Sequence, residues 1–309
     1  MRPARSLAII ALVLAGCGGQ VTTTPDPATA PATRTPTPSR APETSRPSPT
    51  ATALARESFE VEVGGLTIHG HCAGGEAREP GEPAVLLSHG NGGNQDSLLG
   101  IEASMAEETL VCAYDRPGPA GRSDRPANLP RPVADVVTEA REVLAAAGVE
   151  PPFFLIGHSA GGVIASMLAH RHPDEVVGFV IDNPNPPFSA WMEALDGVVT
   201  QQELDSLELP DFMGENPEGI DMRGNDVMLE PLPDTMAFAV LFDEDCRALG
   251  YYCDRIWEPL KTTQALATEA GAGGRFVYLE GAGHEIPDTE PEAMRAVIEE
   301  VWAEATGQP

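Results

Sequence analysis

A serine set between glycines, a glycine-rich loop and a histidine near the end of the chain have the types and spacing for covalent chemistry. Gly157-His158-Ser159-Ala160-Gly161-Gly162 follows the apolar run Phe153 to Ile156 and precedes Val163, Ile164, Met167 and Leu168, which repeat at helical spacing. Strand, tight turn and helix in that order make a G-x-S-x-G a nucleophile elbow, in which small neighbours let the serine occupy a strained turn with its hydroxyl above the sheet. A serine attacking an acyl carbon creates an oxyanion that fixed donors must stabilise, at roughly 3–4 kcal/mol per donor. His89-Gly90-Asn91-Gly92-Gly93 directly follows Ala84 to Ser88, and such a backbone can turn amides toward that charge, so the amides of Asn91 and Ala160 are the candidate donors. A neutral serine also needs a base. Of the seven histidines, His284 in Gly281-Ala282-Gly283-His284 follows the final apolar run and precedes the last helical pattern. From there it would take the proton from Ser159 and return it to the leaving group. His69, His71, His170 and His172 lie on a hairpin or at a helix end and read as structural.

The elements that must position these residues alternate between short β-rich runs and helical patterns, the signature of a largely parallel sheet covered by helices. Phe59 to Val63 alternates with period two, Gly64-Gly65 turns, and Leu66 to Cys72 pairs back as a hairpin. Six further strands follow: Ala84–Ser88, Leu110–Tyr114, Phe153–Gly157, Val176–Ile181, Met236–Phe242 and Arg275–Leu279. Between them, Val133, Val136, Val137, Ala140, Val143 and Leu144 form one buried helical stripe, with Asp135, Glu139 and Arg141 on the wet face. Thr289-Glu290-Pro291-Glu292 reads as a capping box that starts a last helix with Met294, Val297, Ile298, Val301 and Trp302 on one face. Between Asp182 and Met236 lies an insertion rich in Asp, Glu, Pro and Met, in which Thr200-Gln201-Gln202-Glu203 marks one lid-like helix.

The remaining chain concerns targeting. Arg2 and Arg5 precede the apolar stretch Leu7 to Ala15, which is too short to span a bilayer and reads as an export signal. Its end, Leu14-Ala15-Gly16-Cys17, resembles the bacterial lipobox, in which the cysteine is diacylated and becomes the mature N-terminus. Each buried methylene contributes about 0.8 kcal/mol, so several acyl chains hold a protein to a membrane. From Val21 to Ala53 the composition is Thr, Pro, Ala and Ser, too poor in large apolar residues to offset ordering entropy; it is a linker. The domain reading is a signal peptide over 1–16, a lipidated Cys17 and linker over 17–55, and one domain over 56–309. Its lid-like insertion covers about 183–235. With 19 Lys plus Arg against 47 Asp plus Glu, the net charge of -28 leaves no basic footprint for nucleic acid.

These features together resemble the α/β-hydrolase superfamily, in the order nucleophile first and histidine last, over roughly Glu57 to Ala305. The stretches that carry the resemblance are Ser88 to Gly93, Gly157 to Gly162, Gly281 to His284, and Ala113-Tyr114-Asp115-Arg116-Pro117-Gly118-Pro119-Ala120-Gly121-Arg122-Ser123-Asp124. The last is similar to the family's D-R-x-G-x-G-x-S segment, with one added residue at Pro119-Ala120, and here Asp115 and Arg116 order the loop rather than act on substrate. The resemblance implies an α/β fold: a mostly parallel eight-stranded sheet, helices on both faces and a lid-like insertion after the sixth strand. It implies serine hydrolysis of an ester, amide or related acyl bond of a small molecule, without metal or organic cofactor. No zinc or calcium ligand spacing appears in the sequence. Carboxylic-ester hydrolysis on the outer side of a bacterial membrane is the leading reading; a peptidase or amidase on the same triad, and a non-catalytic binding lipoprotein, are the alternatives.

The superfamily has two strand ends from which a carboxylate reaches the histidine. Asp182 follows Val176 to Ile181, in a segment similar to exported relatives whose sixth strand ends in a Val-Asp-like pair, and is the first choice. Asp245, after Met236 to Phe242, is the alternative acid, and Asp243 the third. The second and fourth strands are neighbours in this superfamily, which implies a Cys72–Cys112 disulfide. Cys246 and Cys253 are close enough in sequence for a small local loop and form the second expected pair.

Overall fold

The computed structural model describes residues 54–75, 78–79, 81–118, 120–198, 200, 214, 216–243, 261–262, 265, 268 and 273–307. The signal segment, Cys17, the linker, Gln201 to Glu203, Asp245, Cys246 and Cys253 lie outside the described residues.

Eight strands form one sheet: β1 (Arg56–Val63), β2 (Leu66–Ala73), β3 (Ala84–Ser88), β4 (Val111–Tyr114), β5 (Phe153–His158), β6 (Val176–Asp182), β7 (Ala237–Asp243) and β8 (Gly274–Leu279). Their order is β1-β2-β4-β3-β5-β6-β7-β8. The first two strands pair antiparallel through Gly64 and Gly65, both at positive φ, and β2 pairs antiparallel with β4. From β4 through β3 to β8 every pairing is parallel. Strands buried on both faces need no polar side, which is why β3, β5 and β7 are continuous apolar runs.

Alternate residues of these strands enter two cores. Leu86, Leu155, Phe179 and Ile181 face α2 (Val133–Ala146) and α3 (Ala160–Arg171), whereas Val85, Leu87, Phe154 and Val180 face α1 (Leu99–Met105) and the C-terminal helix. The expected α2 stripe is buried at every position. Glu139 departs from the expectation. It is buried, because the two-residue parallel bridge between Arg131–Pro132 and Ile220–Asp221 covers that side, and Arg131 Nη1 pairs with its carboxylate at 2.7 Å. Burial, only partly offset by Arg131, raises the Glu139 pKa.

Between β6 and β7 the described chain forms α4 (Phe188–Leu195) and a 3-10 helix (Met222–Leu229) that packs on α2, α3 and α4. Trp191, Leu195, Ile220 and Met222 join the core, so this part of the insertion is built into the domain. The sequence holds a missed helix signal there, since Phe188, Trp191, Met192 and Leu195 recur at helical spacing. At the C-terminal end, α5 (Ile286–Thr289) leads into α6 (Pro291–Thr306). The capping box does not form: Thr289 Oγ1 donates to the Glu285 carbonyl and closes α5, and the N-cap of α6 is Glu290 without a side-chain bond. Pro291 still opens α6, where the lost N–H costs nothing, and Gly307 ends it at positive φ.

Candidate active site

Ser159 joins β5 to α3 at φ 52° and ψ −120°, a region L-residues rarely occupy. The surrounding backbone over-determines the turn. The Ser159 N–H donates to the carbonyl of Asp182 (2.9 Å), and its own carbonyl accepts from Gly162 N (2.9 Å) and Val163 N (3.2 Å). A Cβ on Gly157 would lie 2.5 Å from the Gly161 oxygen, and one on Gly161 would overlap the carbonyls of Ser88 and His89. Glycine at both positions lets the first turn of α3 close on the ends of β3 and β5. Ser159 makes no side-chain cap bond, so helix capping does not use its hydroxyl, and it remains partly exposed above the amide end of α3.

The 89–93 loop packs against this turn. A Cβ on Gly90 would sit 2.7 Å from His158 Nδ1 and 3.5 Å from Ser159 Cβ. Buried Arg116 orders the loop, donating from Nη1 to the His89 carbonyl (2.7 Å) and from Nη2 to the Gly90 carbonyl (2.9 Å). Its guanidinium pairs bidentately with buried Glu218, Nε to Oε2 at 2.7 Å and Nη2 to Oε1 at 2.8 Å. Glu218 Oε1 also accepts from Gly92 N (2.9 Å). Burial alone would raise the Glu218 carboxyl, but the Arg116 charge and hydrogen bonds outweigh it and hold the group below its ordinary value. Burial, then the Arg116 charge, lowers the His89 pKa to about 4, which keeps that ring neutral. Asp115 plays the ordering part expected of it, accepting from Gln95 N (2.8 Å), Gln95 Nε2 (3.1 Å) and Arg122 N (2.8 Å).

The third segment carries His284. Its carbonyl accepts from His158 Nε2 (3.1 Å) and Asn183 Nδ2 (3.1 Å), so the residues beside Ser159 and Asp182 both grip the histidine loop. The His284 ring is exposed, 5.0 Å between centroids from that of His158, and makes no hydrogen bond to Ser159 or Asp182. Asp182 ends β6 with 0% exposure, and neither of its carboxylate oxygens has a hydrogen-bond partner. Its Oδ1 lies 3.7 Å from His158 Nε2. Burial first, then the charges of Glu285 and Asp243, lift the Asp182 pKa well above the carboxylate range. Asp243 is also buried at the end of β7, and its N–H donates to Asn183 Oδ1 (3.1 Å).

A cavity of ≈ 250 Å³ opens beside the loop, bounded by Gly90, Asn91, Gly92, His158, Glu285 and Asp288. An apolar cavity of ≈ 120 Å³, lined by Phe179, Ile181, Pro184, Met228, Leu232 and Val240 among others, runs along α3 and shares no lining residue with the first. Nitrogens of His158 and His284 and an oxygen of Glu285 fall within 4.8 Å of one another, the one such grouping among the described residues. His158 Nε2 already donates to a carbonyl and so has no lone pair for an ion, and nothing else points to a metal there.

Sequence reasoning missed His158, Asn183 and Glu218. His158 occupies the unspecified position of the G-x-S-x-G pattern, and Glu218 is one of many acidic residues in an insertion without periodicity. No local pattern could have distinguished it.

A mixed sheet in this order, with a strained serine after the fifth strand and a histidine after the eighth, defines a class of fold. A family described as α/β hydrolase fold matches residues 83–204. The chain has the α/β-hydrolase fold. It is 22% identical over 226 residues to the uncharacterized protein YqjL of Bacillus subtilis, covering 72% of this chain and 85% of that protein. It is 30% identical over 118 residues to a putative carbamate hydrolase RutD of Cronobacter sakazakii, 38% of this chain and 42% of RutD. Apart from YqjL, the chain spans less than half the length of these curated relatives. Among solved structures it resembles a bacterial membrane phospholipase A (TM-score 0.54, 23% identity, 80% of this chain and 86% of that one). It also resembles a carboxylesterase of Nitrososphaera gargenis (TM-score 0.55, 18% identity, 81% and 100%).

Proposed function

We propose that the protein is a serine hydrolase of carboxylic esters or related acyl bonds, with Ser159 as nucleophile, His284 as base and Asp182 as acid. The observation that carries this reading is Ser159 itself, held at φ 52° with a partly exposed hydroxyl that does not cap the helix it precedes. Strain of this kind persists only where the surroundings enforce it, and it concentrates at functional sites. In the first half-reaction Ser159 Oγ attacks the acyl carbon, its proton passes to His284, and the oxyanion accepts from the amides of Asn91 and Ala160. Collapse expels the alcohol with the proton from His284 and leaves an acyl-enzyme; water then repeats the sequence and frees the acid.

Asp182 suits the acid's task because a buried carboxylate without partners costs free energy until one arrives. A rotation of the exposed His284 ring toward it would supply that partner and an imidazolium counter-charge. The carboxylesterase and phospholipase among the structural neighbours, and the carbamate hydrolase among the relatives, support an acyl substrate. The test is turnover of p-nitrophenyl esters of graded acyl length beside aminoacyl p-nitroanilides, in wild type, Ser159→Ala and His284→Ala. Ester turnover lost by orders of magnitude in both variants is the expected result, and a folded wild-type protein inert toward every ester would overturn the reading. Preference for the anilides would reassign it as an amidase.

The reading places the enzyme outside the cytoplasmic membrane, tethered by acyl chains on Cys17. Detergent phase partition of wild type and Cys17→Ala tests this: the wild type is expected in the detergent phase, and an unmodified, water-soluble wild type refutes the anchor.

A further inference from the structure

We propose that Glu218, supplied by the segment between β6 and β7, is a positioning residue that sets the oxyanion donor of the 89–93 loop through Arg116. This rests on the serine-hydrolase reading and adds to it a part for the insertion. In a trans peptide the carbonyl of one residue and the N–H of the next point in opposite directions. The Asn91 N–H therefore points away from whatever holds the Gly90 carbonyl. That carbonyl accepts from Arg116 Nη2 (2.9 Å), His89 Nδ1 (2.8 Å) and Gly93 N (3.1 Å), so its direction is over-determined. The same guanidinium takes the His89 carbonyl at 2.7 Å, which fixes the start of the loop.

Arg116 can hold this pose only while its charge is met. At 1% side-chain exposure it has little water to turn to, and Glu218, at 2%, occupies two of its nitrogens in a fork that fixes the plane of the guanidinium. Glu218 also accepts the Gly92 N–H, removing the neighbouring amide from competition for the oxyanion and leaving Asn91 as the donor. The insertion thus reaches beneath the loop and locks it, a different task from covering the site.

The experiment compares wild type, Glu218→Gln and Arg116→Lys as full-length protein. Glutamine keeps the size and one acceptor but loses the charge and half of the fork; lysine cannot span both carbonyls and the carboxylate. Turnover is divided by the amount of serine titrated with a fluorophosphonate, so misfolded protein is not counted. Loss of one oxyanion donor costs about 10²–10³ in kcat, and a donor misaimed rather than deleted is expected to cost roughly 10–100-fold. KM should change little, while affinity for a boronic acid, which forms a tetrahedral adduct, should fall in step with kcat. Hydrogen exchange in the 89–93 peptide should quicken in both variants. A purely structural role would lower Tm and the titrated fraction while leaving kcat per titrated serine intact, and that outcome overturns the proposal. If wild type turns over no ester, the serine-hydrolase reading fails and the catalytic role with it; unchanged exchange in both variants would then overturn the clamp too.

Discussion

The strain at Ser159 can be measured by comparing two substitutions that both remove the hydroxyl. Alanine keeps the Cβ and hence the cost of φ 52°, ψ −120°, whereas glycine adopts that conformation freely. A residue held in such a region costs on the order of 1–3 kcal/mol. Glycine gives back part of the gain, roughly 0.4–1 kcal/mol, through the greater freedom of its unfolded chain. No cap bond is lost in either variant, because Ser159 makes none. Ser159→Gly is therefore expected to be more stable than Ser159→Ala by roughly 1 kcal/mol, or about 2–4 °C in Tm for a domain of this size. Paired thermal melts, with urea titrations to check that m is unchanged, measure the difference. A glycine variant equal to or less stable than the alanine variant would mean that the turn is not strained, and that the conformation of Ser159 does not mark it as a functional residue.

Other consequences are testable alongside. Asp182→Asn should lower kcat for esters by about 10⁴ through misorientation of His284, with Asp243→Asn and Asp245→Asn close to wild type; the reverse ranking moves the acid to the end of β7. Cys72 and Cys112 face each other across β2 and β4 with α-carbons 4.1 Å apart and form a disulfide, so non-reducing peptide mapping should recover them linked. Replacing both with alanine should cost roughly 2–4 kcal/mol, and free thiols in the native protein would contradict the bridge. His71, buried between Gln95 and Glu102, has its pKa raised above 6.5, first by the hydrogen bond to Glu102. Burial alone would raise Glu102, but its bonds to His71 and Arg56 hold it below 4.5. The His71 contribution is complete below its unfolded pKa and fades as pH rises through the folded one, while that of Glu102 fades as pH falls through its folded one. The Tm deficit of His71→Gln should therefore be larger at about pH 5.5 than at about pH 9, and a pH-independent deficit would show that the pair is not ionised.

The central strands were legible because they are apolar runs bounded by turns, the entry hairpin because β1 alternates with period two before Gly64-Gly65, and the α2 stripe because its period is that of a helix. Errors came where a contact outside the local pattern decided the outcome. Glu139 reads as wet on its own helix and is buried by a bridge formed with Ile220, two residues long and below any sequence signal. Thr289 has the spacing of a capping box, but a preceding short helix claims its hydroxyl. At the site, Ser159 and His284 stood out because glycines and strand ends announce them. Glu218, His158 and Asn183 act through contacts more than a hundred residues away along the chain, and only the folded sheet brings those partners together.

The central claim is that Ser159 is a nucleophile activated by His284. Its most direct test is the site and rate of covalent capture by a fluorophosphonate, read by intact mass and peptide mapping. One adduct per chain on Ser159 is expected, with none in Ser159→Ala and labelling slowed by at least about 10³-fold in His284→Ala. A folded wild-type protein that stays unlabelled, or carries its adduct on another residue, would contradict the account.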